Sequence, residues 1–589
     1  MEIRLSDLKT LRYQYLMHAG KIEKANSLSA KIGNAIRQHN SCQLADIRPT
    51  GRAGIDSAEL WKRVNEITRG TSGSKSCLIS RNLNASSINK HYSTVSTDPL
   101  YTPPSLKSSC AMASTDSWPS PWAVMQVLER SKTNSVGHDG IYPWFCRLAA
   151  PFIAVPLAHL YSLSLQQSIV PIQWKTALIT PIPKIKPPTK PADFRPISVL
   201  PLFSTTIEKL VTRKFLNPLF NESPLQNSLT DQFAFRPTGS TTAALITLIS
   251  NVTTMLESEP YVHLIALDFS KAFDVTRHST LFSKLASLPL LDQVYNWLID
   301  FFSNRTHKTK FQTTTSESAA INASVVQGSA LGPPMFIINS SDLQCVTKGN
   351  MFIKFADDTT LLVPASNSWS IQAEISNINK WANTNNQMLN KAKCAELIIT
   401  RKRTSARSIS PPPLLPDLSR VEQLTLLGVE LDERLSFPRH IDTAIITASQ
   451  NLYALKTLKS HGLPPQALDT VCRATLLARL TYASPCWCGA LSATDRDRLQ
   501  AVINRSVKWG ICQSLNGGIP AICDKYDHKL FSSVLSNQYH TLNPLLPSPK
   551  THTYSLRNRS HNVNQRSVHT AEFHPPHVIL ITQTFSILQ

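Results

Sequence analysis

Two apolar stretches that end on aspartate limit what this chain can fold into. The run Val262 to Leu267 has the length and composition of a buried strand, and it ends on Asp268 within Asp268-Phe-Ser-Lys-Ala-Phe-Asp274. The second, Lys354-Phe-Ala-Asp357-Asp358-Thr-Thr-Leu-Leu-Val363, reads as a hairpin with both acids at its turn. If the two belong to one sheet, their ends bring three carboxylates within a few ångströms of one another. Carboxylates so placed raise one another's pKa unless a counter-charge joins them, and a divalent cation is the natural one. Oxygen-only ligation points to Mg2+. Two such ions can align a 3′-hydroxyl with a triphosphate for in-line nucleotidyl transfer. An isolated Asp-Asp at a turn is ordinary turn chemistry, so the surrounding segments carry the weight.

Those segments have an order. Pro181-Ile-Pro-Lys184 is followed by Asp193-Phe-Arg195-Pro-Ile-Ser-Val-Leu200 and then Phe233-Ala-Phe235-Arg236-Pro-Thr-Gly239-Ser-Thr-Thr242. After Asp268 to Asp274 come Gln327-Gly328-Ser-Ala-Leu-Gly332-Pro333, the Phe355-Ala-Asp357-Asp358 box, Leu389-Asn390-Lys-Ala-Lys393, and Leu427-Gly428 through His440-Ile441. Over roughly residues 120 to 510 this succession resembles the reverse transcriptase of LINE-type non-LTR retrotransposons, in the jockey and chicken-repeat-like branch.

The resemblance implies an α+β right-hand polymerase, with fingers and palm built on antiparallel sheet and a helical thumb. It implies an RNA-directed DNA polymerase that adds deoxynucleotides by a two-metal mechanism, with two Mg2+ ions, or Mn2+ in their place, held by Asp268, Asp357 and Asp358. Its partners would be an RNA template, a DNA primer and dNTPs, with no membrane and an oligomeric state left open. As a ribonucleoprotein it would occupy nucleus and cytoplasm. Arg195 and Arg236 would reach the triphosphate through forked, charge-assisted donors, with Lys184 beside them. Phe273 would exclude a ribose 2′-hydroxyl by filling its volume, although core packing at a strand end explains an aromatic there nearly as well. Gln327 and Gly328 would lie under the nascent base pair, the glycine permitting close backbone approach, where a plain turn is the simpler reading. Lys393 would approach the leaving pyrophosphate as an acid, or be an exposed strand lysine.

The charge balance agrees with a polyanionic partner: 60 Lys and Arg stand against 39 Asp and Glu in 589 residues, a net +21. Eleven scattered cysteines lack the spacing of a disulfide framework. Cys486-Trp-Cys488, with Cys472, Cys512 and Cys523, reads as buried free thiols in preference to a zinc site. Residues 1–119 are expected to form a helical, basic linker region, with an amphipathic helix over Lys21 to Arg37, an anchor at Leu60 to Val64, and a Ser/Thr/Pro-rich loop from 93 to 120. Gly137-His-Asp139-Gly140 is a turn into fingers and palm over 120–405, and the apolar stretch Leu148 to Trp174, too polar for a membrane span, is a core helix. A loop around Arg401-Lys-Arg403 and Pro411 leads to a thumb over 406–540, ahead of an irregular tail over 541–589. The chain also departs from the family it resembles. Met1 opens inside the linker, where members carry an apurinic-endonuclease-like domain ahead of the polymerase, so no nuclease is expected here. Pro334 falls where the family prefers an apolar helical residue, at an expected cost of around 3 kcal/mol inside a helix. A second reading therefore stands beside the first: an inactive retrotransposon remnant that binds RNA without chemistry.

Overall fold

The computed structural model describes Asn34 and residues 83–108, 118–185, 187–221, 225–400, 412–416, 418–513 and 517–546. The Lys21–Arg37 helix, apart from Asn34, the Leu60–Val64 anchor, the Arg401–Arg403 cluster and the tail beyond 546 lie outside the described residues. The chain divides into two compact units, one of residues 76–436 with 529–589, the other of residues 1–75 with 437–528.

The larger unit is built on two sheets. In the first, β3 (Tyr261–Leu267) lies at the centre of the order β10-β9-β3-β8-β7, with β7 Met351–Phe355, β8 Asp358–Pro364, β9 Ala395–Thr400 and β10 Ser419–Arg420. It is antiparallel to both neighbours, pairing Leu267 with Thr359 and Ala266 with Ala395. Val262, Leu264 and Ile265 are all buried, which is why this strand reads as a continuous apolar run: both of its faces are covered. The one polar break, His263, is satisfied internally, its Nδ1 2.7 Å from Glu396 Oε1 and its Nε2 2.9 Å from Ser368 Oγ.

The second sheet joins β1 (Thr176–Pro183) to β2 (Phe194–Val199) as an antiparallel hairpin that pairs Ile182 with Arg195. On its other side β1 runs parallel to β4 (Arg305–Phe311), and β6 (Ala319–Ile321) returns along β4. Helix α1 (Ala85–Val95) begins at a reciprocal cap between Asn84 and Ser87 and buries Ile88 and Tyr92 against Ile179, Phe194 and Phe311 of this sheet. Helix thus extends to Val95, into the stretch expected to be loop. Helix α2 (Pro121–Glu129) and helix α3 (Pro143–Gln167) follow, α3 entered through the Gly137–Gly140 turn. Helix α3 is long and apolar enough to cross a membrane by length and composition. It buries Ala150, Ala154, Leu157, Tyr161 and Leu165 in the main core and exposes Trp144, Phe145 and Phe152.

Helix α4 (Leu202–Val211), α5 (Thr241–Ser258), the short α6 (Ala272–Val275), α7 (His278–Ala286), α8 (Asp292–Phe302), α9 (Gly332–Asn339) and α10 (Ile371–Thr384) complete this unit around one large core. The expected penalty at Pro334 is not incurred. Helix α9 starts at Gly332, so Pro334 is its third residue, where the missing N–H has no intrahelical acceptor to lose. A two-stranded hairpin, β11 (Gln423–Leu426) and β12 (Val429–Asp432), turns at Leu427-Gly428 with positive φ at both.

The smaller unit is helical in its described part. Helix α11 (Pro438–Ser460) presents Ile441, Ala444, Ala448, Leu452 and Leu455 along one buried stripe, and α12 (Pro465–Cys472) and α13 (Ala493–Lys508) pack with it. Cys472, Cys486, Cys488, Cys512 and Cys523 are reduced thiols here, and Cys512 Sγ lies 3.5 Å from Asp469 Oδ1.

Candidate active site

Adjacent antiparallel strands deliver the three aspartates. Continuing the β3–β8 register one step past Leu267–Thr359 sets Asp268 opposite Asp358. The β7–β8 hairpin closes on Phe355–Asp358, leaving Ala356 and Asp357 as its two-residue turn, with Ala356 at φ +57°. Asp268 is engaged from a third direction: Asn390 Nδ2 donates to its Oδ2 at 3.1 Å, and Lys393 Nζ stands 3.4 Å from the same oxygen. The segment carrying both is fastened to the loop after β3, Asn390 N donating to Asp268 O at 2.8 Å and Ser270 N to Met388 O at 2.8 Å. Lys393 therefore faces the first carboxylate directly. As the side chains stand, no three His, Cys, Asp or Glu among the described residues form a metal-holding group. Asp268 is instead engaged by Asn390 and Lys393.

The electrostatics show the acids repelling one another. Burial, then the charges of Asp357 and Asp268, push the Asp358 carboxyl up to about 6. Asp357 is raised by burial and by Asp268. Asp274, buried at the start of the short helix, is also pushed up to about 6, by burial first and with Asp357 adding to it against Lys271 and Lys184. Asp268 and Asp358, with Lys393, Thr360 and the tip Leu426-Leu427 of the small hairpin, line a cleft of about 330 Å³.

The Asp-Asp turn has its own support. Gln232 is fully buried, and its Oε1 accepts from Ala234 N at 3.0 Å and Ala356 N at 3.1 Å. Backbone bonds on either side, Phe233 N to Lys354 O and Lys354 N to Asp231 O, bind the same two segments. The Lys354 ammonium is buried beneath them, 2.9 Å from Asp231 Oδ2. Glu208 does similar work for the Gln327-Gly328 loop, accepting from Ser204 Oγ, Ser329 Oγ and Ala330 N inside the core. Sequence reading missed both Gln232 and Glu208. The available signals were a polar residue next to the apolar triplet Phe233 to Phe235 and a glutamate four residues after Ser204 on a helix's buried face.

Phe273 lies half-buried five residues after Asp268, stacked on Phe336 of α9 at 4.3 Å and 11° and met edge-on by Phe235 at 6.2 Å. It is packed, and it is also held rigidly. Gly328, at φ +110°, lies so close to β2 that a Cβ would stand 2.2 Å from Ser198 O, while Gln327 O accepts from Ser198 N at 2.9 Å. The close approach expected of this glycine is made to the β1–β2 hairpin. On that hairpin Arg195 is exposed, and Lys184 Nζ donates to Ala192 O at 3.2 Å. Arg236 is differently employed: its Nη1 donates to Leu229 O at 2.7 Å, so the guanidinium expected at a triphosphate secures a loop, and burial lowers its pKa.

Residues 182–431 match the family model for reverse transcriptase, RNA-dependent DNA polymerase. The chain is 26% identical over 402 residues to the probable RNA-directed DNA polymerase from transposon X-element of Drosophila melanogaster, covering 65% of this chain and 43% of that one. To the RNA-directed DNA polymerase from mobile element jockey of the same fly it is 27% identical, covering 56% and 36%. It thus spans about two fifths of the length of these relatives. Among solved structures, apo telomerase from Candida tropicalis aligns with a TM-score of 0.36 at 12% identity, over 66% of this chain and 68% of that one. Over residues 182–431 the chain is thus similar to reverse transcriptases, and the relatives it resembles around that stretch are RNA-directed DNA polymerases of mobile elements.

Proposed function

We propose that this chain is an RNA-directed DNA polymerase that extends a DNA primer on an RNA template. The observation that carries the reading is the register: neighbouring antiparallel strands bring Asp268 and the Asp357–Asp358 turn to one end of a sheet, beside an open cleft. Three oxygen-ligand side chains, two of them raised in pKa by burial and by their acidic neighbours, suit divalent cations, and Asp268, Asp357 and Asp358 would hold Mg2+ or Mn2+. Bound there, the cations would neutralise the transferring phosphate and activate the attacking hydroxyl. The remaining work belongs to the protein. Lys184 and Arg195 draw in the phosphates from the fingers hairpin, Phe273 excludes a 2′-hydroxyl, the Gln327-Gly328 backbone shapes the floor under the base, and the Lys393 ammonium supplies a proton to the leaving group. Arg236 acts at a distance, by fixing the loop that carries Phe235.

Asp357→Asn tests this. It keeps the side-chain shape and removes the charge, so extension should fall by at least about a hundredfold, while affinity for template–primer, held by the basic surface and steeply salt-dependent, stays within about twofold. Extension that survives the substitution refutes the metal assignment. Salt-sensitive binding with no extension by either protein indicates the inactive remnant.

A further inference from the structure

Helix α1 carries a histidine that the polymerase reading leaves without a task. His91 Nε2 lies 3.1 Å from the Nζ of Lys271. Lys271 sits between Asp268 and Phe273, on the same loop as the first carboxylate and the sugar gate. Lys184 approaches from the fingers hairpin, close enough for its charge to act on His91, Lys271 and Asp274 alike. Three basic side chains from three separate elements thus line one narrow cleft, together with Gln327, Ser198 and Tyr92. The two lysines are exposed and His91 is half-buried, so the mouth is open to solvent.

Like charges brought together at this range repel, and the opposing carboxylate, Asp274, is buried. The imidazole accommodates its neighbours by staying neutral, its pKa lowered by burial and then by Lys271 and Lys184. Two further observations separate this cluster from a chance surface contact. Lys271 holds a left-handed backbone at φ +53°, a conformation that an L-residue keeps only when its surroundings impose it. The walls also carry buried polar atoms without partners, among them Tyr92 Oη and Gln327 Oε1. Helix α1 is no loose strap: Asn89 donates to Glu317 O at 3.0 Å and accepts from Thr309 Oγ1 at 2.8 Å, which fixes His91 against the fingers sheet.

We propose that His91 and Lys271, with Lys184, form a cradle for the β- and γ-phosphates of the incoming deoxynucleotide, so that helix α1, which precedes the matched segment 182–431, completes the nucleotide site. The inference rests on the polymerase reading. The phosphate oxygens accept from both ammonium groups and from the N–H of the neutral imidazole, and relieve the repulsion between the two lysines. The same atoms depart as pyrophosphate, so the cradle also holds the product.

The test is equilibrium binding to the full chain. Fluorescently labelled dGTP, and dGMP with the same label, are titrated by anisotropy in the presence of template–primer that lacks a 3′-hydroxyl. The wild type should favour the triphosphate. His91→Ala and Lys271→Ala should each weaken triphosphate binding by about tenfold and leave the monophosphate unchanged, and His91→Arg, which restores a donor, should recover most of the loss. Unchanged triphosphate affinity in His91→Ala overturns the cradle, as does a loss that falls equally on the monophosphate and is not recovered by His91→Arg. Primer extension by the wild type, run in parallel, separates the two readings. A chain that favours the triphosphate through His91 yet never extends leaves the cradle standing and refutes the polymerase. A chain that extends, with His91→Ala at the same KM, does the reverse.

Discussion

Asp274 is the place where charge and stability oppose each other most clearly. Its carboxyl is buried and pushed up to about 6, against 3.8 for a free side chain. A gap of about two pH units corresponds to about 3 kcal/mol. Below pH 3.8 both native and unfolded chains are protonated at this site and it costs nothing. Between 3.8 and about 6 the native state holds a proton that the unfolded chain has released, so stability falls as pH rises, and above that window the full cost is carried. Asp274→Asn removes the ionisation with little change of shape. The substitution should stabilise the larger unit by about 3 kcal/mol at pH 8 and by only about 1 kcal/mol at pH 4.5. Urea unfolding followed by tryptophan fluorescence at the two pH values measures the difference. A gain independent of pH, or a loss at pH 8, refutes the argument that the buried charge is what destabilises. A confirmed gain would mark Asp274 as a residue kept at the expense of stability, as function-bearing charges are.

Three other substitutions separate support from chemistry. Gln232→Leu strands the N–H groups of Ala234 and Ala356, and should cost about 1–3 kcal/mol for each in a thermal melt and lower kcat for extension; unchanged kcat would show the turn holding its position without the brace. Phe273→Val should admit ribonucleotides, read as a fall in the dGTP-to-GTP ratio of kcat/KM, and Phe336→Ala should shift the ratio the same way more weakly by releasing the stacked ring; constant ratios in both would make the stack mere packing. Lys393→Ala should alter stability by less than about 1 kcal/mol, since its ion pair with Asp268 is solvent-exposed, while slowing nucleotide addition; equal effects on both would count against a role at the leaving group.

The palm was legible because its signals are local. An apolar run ending on Asp268 and a hairpin-type pattern around Asp357–Asp358 identify a strand and a turn without knowledge of any partner, and the observed register joins them as expected. The fingers motifs were legible as well, but the pairing of their sheet was not, because β1 takes as its parallel neighbour β4, whose residues lie well over a hundred positions on, and nothing in either stretch names the other. Helix α1 was hidden by its brevity and by an Asn-x-x-Ser cap in place of the more familiar pairing with Glu or Gln. Pro334 misled because its distance from the start of α9, invisible in a motif, decides whether a proline costs anything. Arg236 was placed at the triphosphate by resemblance alone, and its bond to the Leu229 carbonyl, a contact between neighbouring loop residues, has no signature in the motif.

The anchorage of helix α1 also sets an order of events at the ribosome. Its acceptors and donors, Thr309 and Glu317, lie 220 and 228 residues downstream of Asn89, and Asp98 just after the helix finds Arg277 another long stretch away. The segment made early in synthesis is therefore among the last to dock. Ile179 and Phe194 can cover part of its apolar face earlier, but until the chain has emerged past Asn322, whose side chain holds the Asp98 backbone, the polar anchors of the helix are missing. Nascent chains stalled before that point should be cut by protease around residues 85–98, and those stalled well beyond it should be protected there.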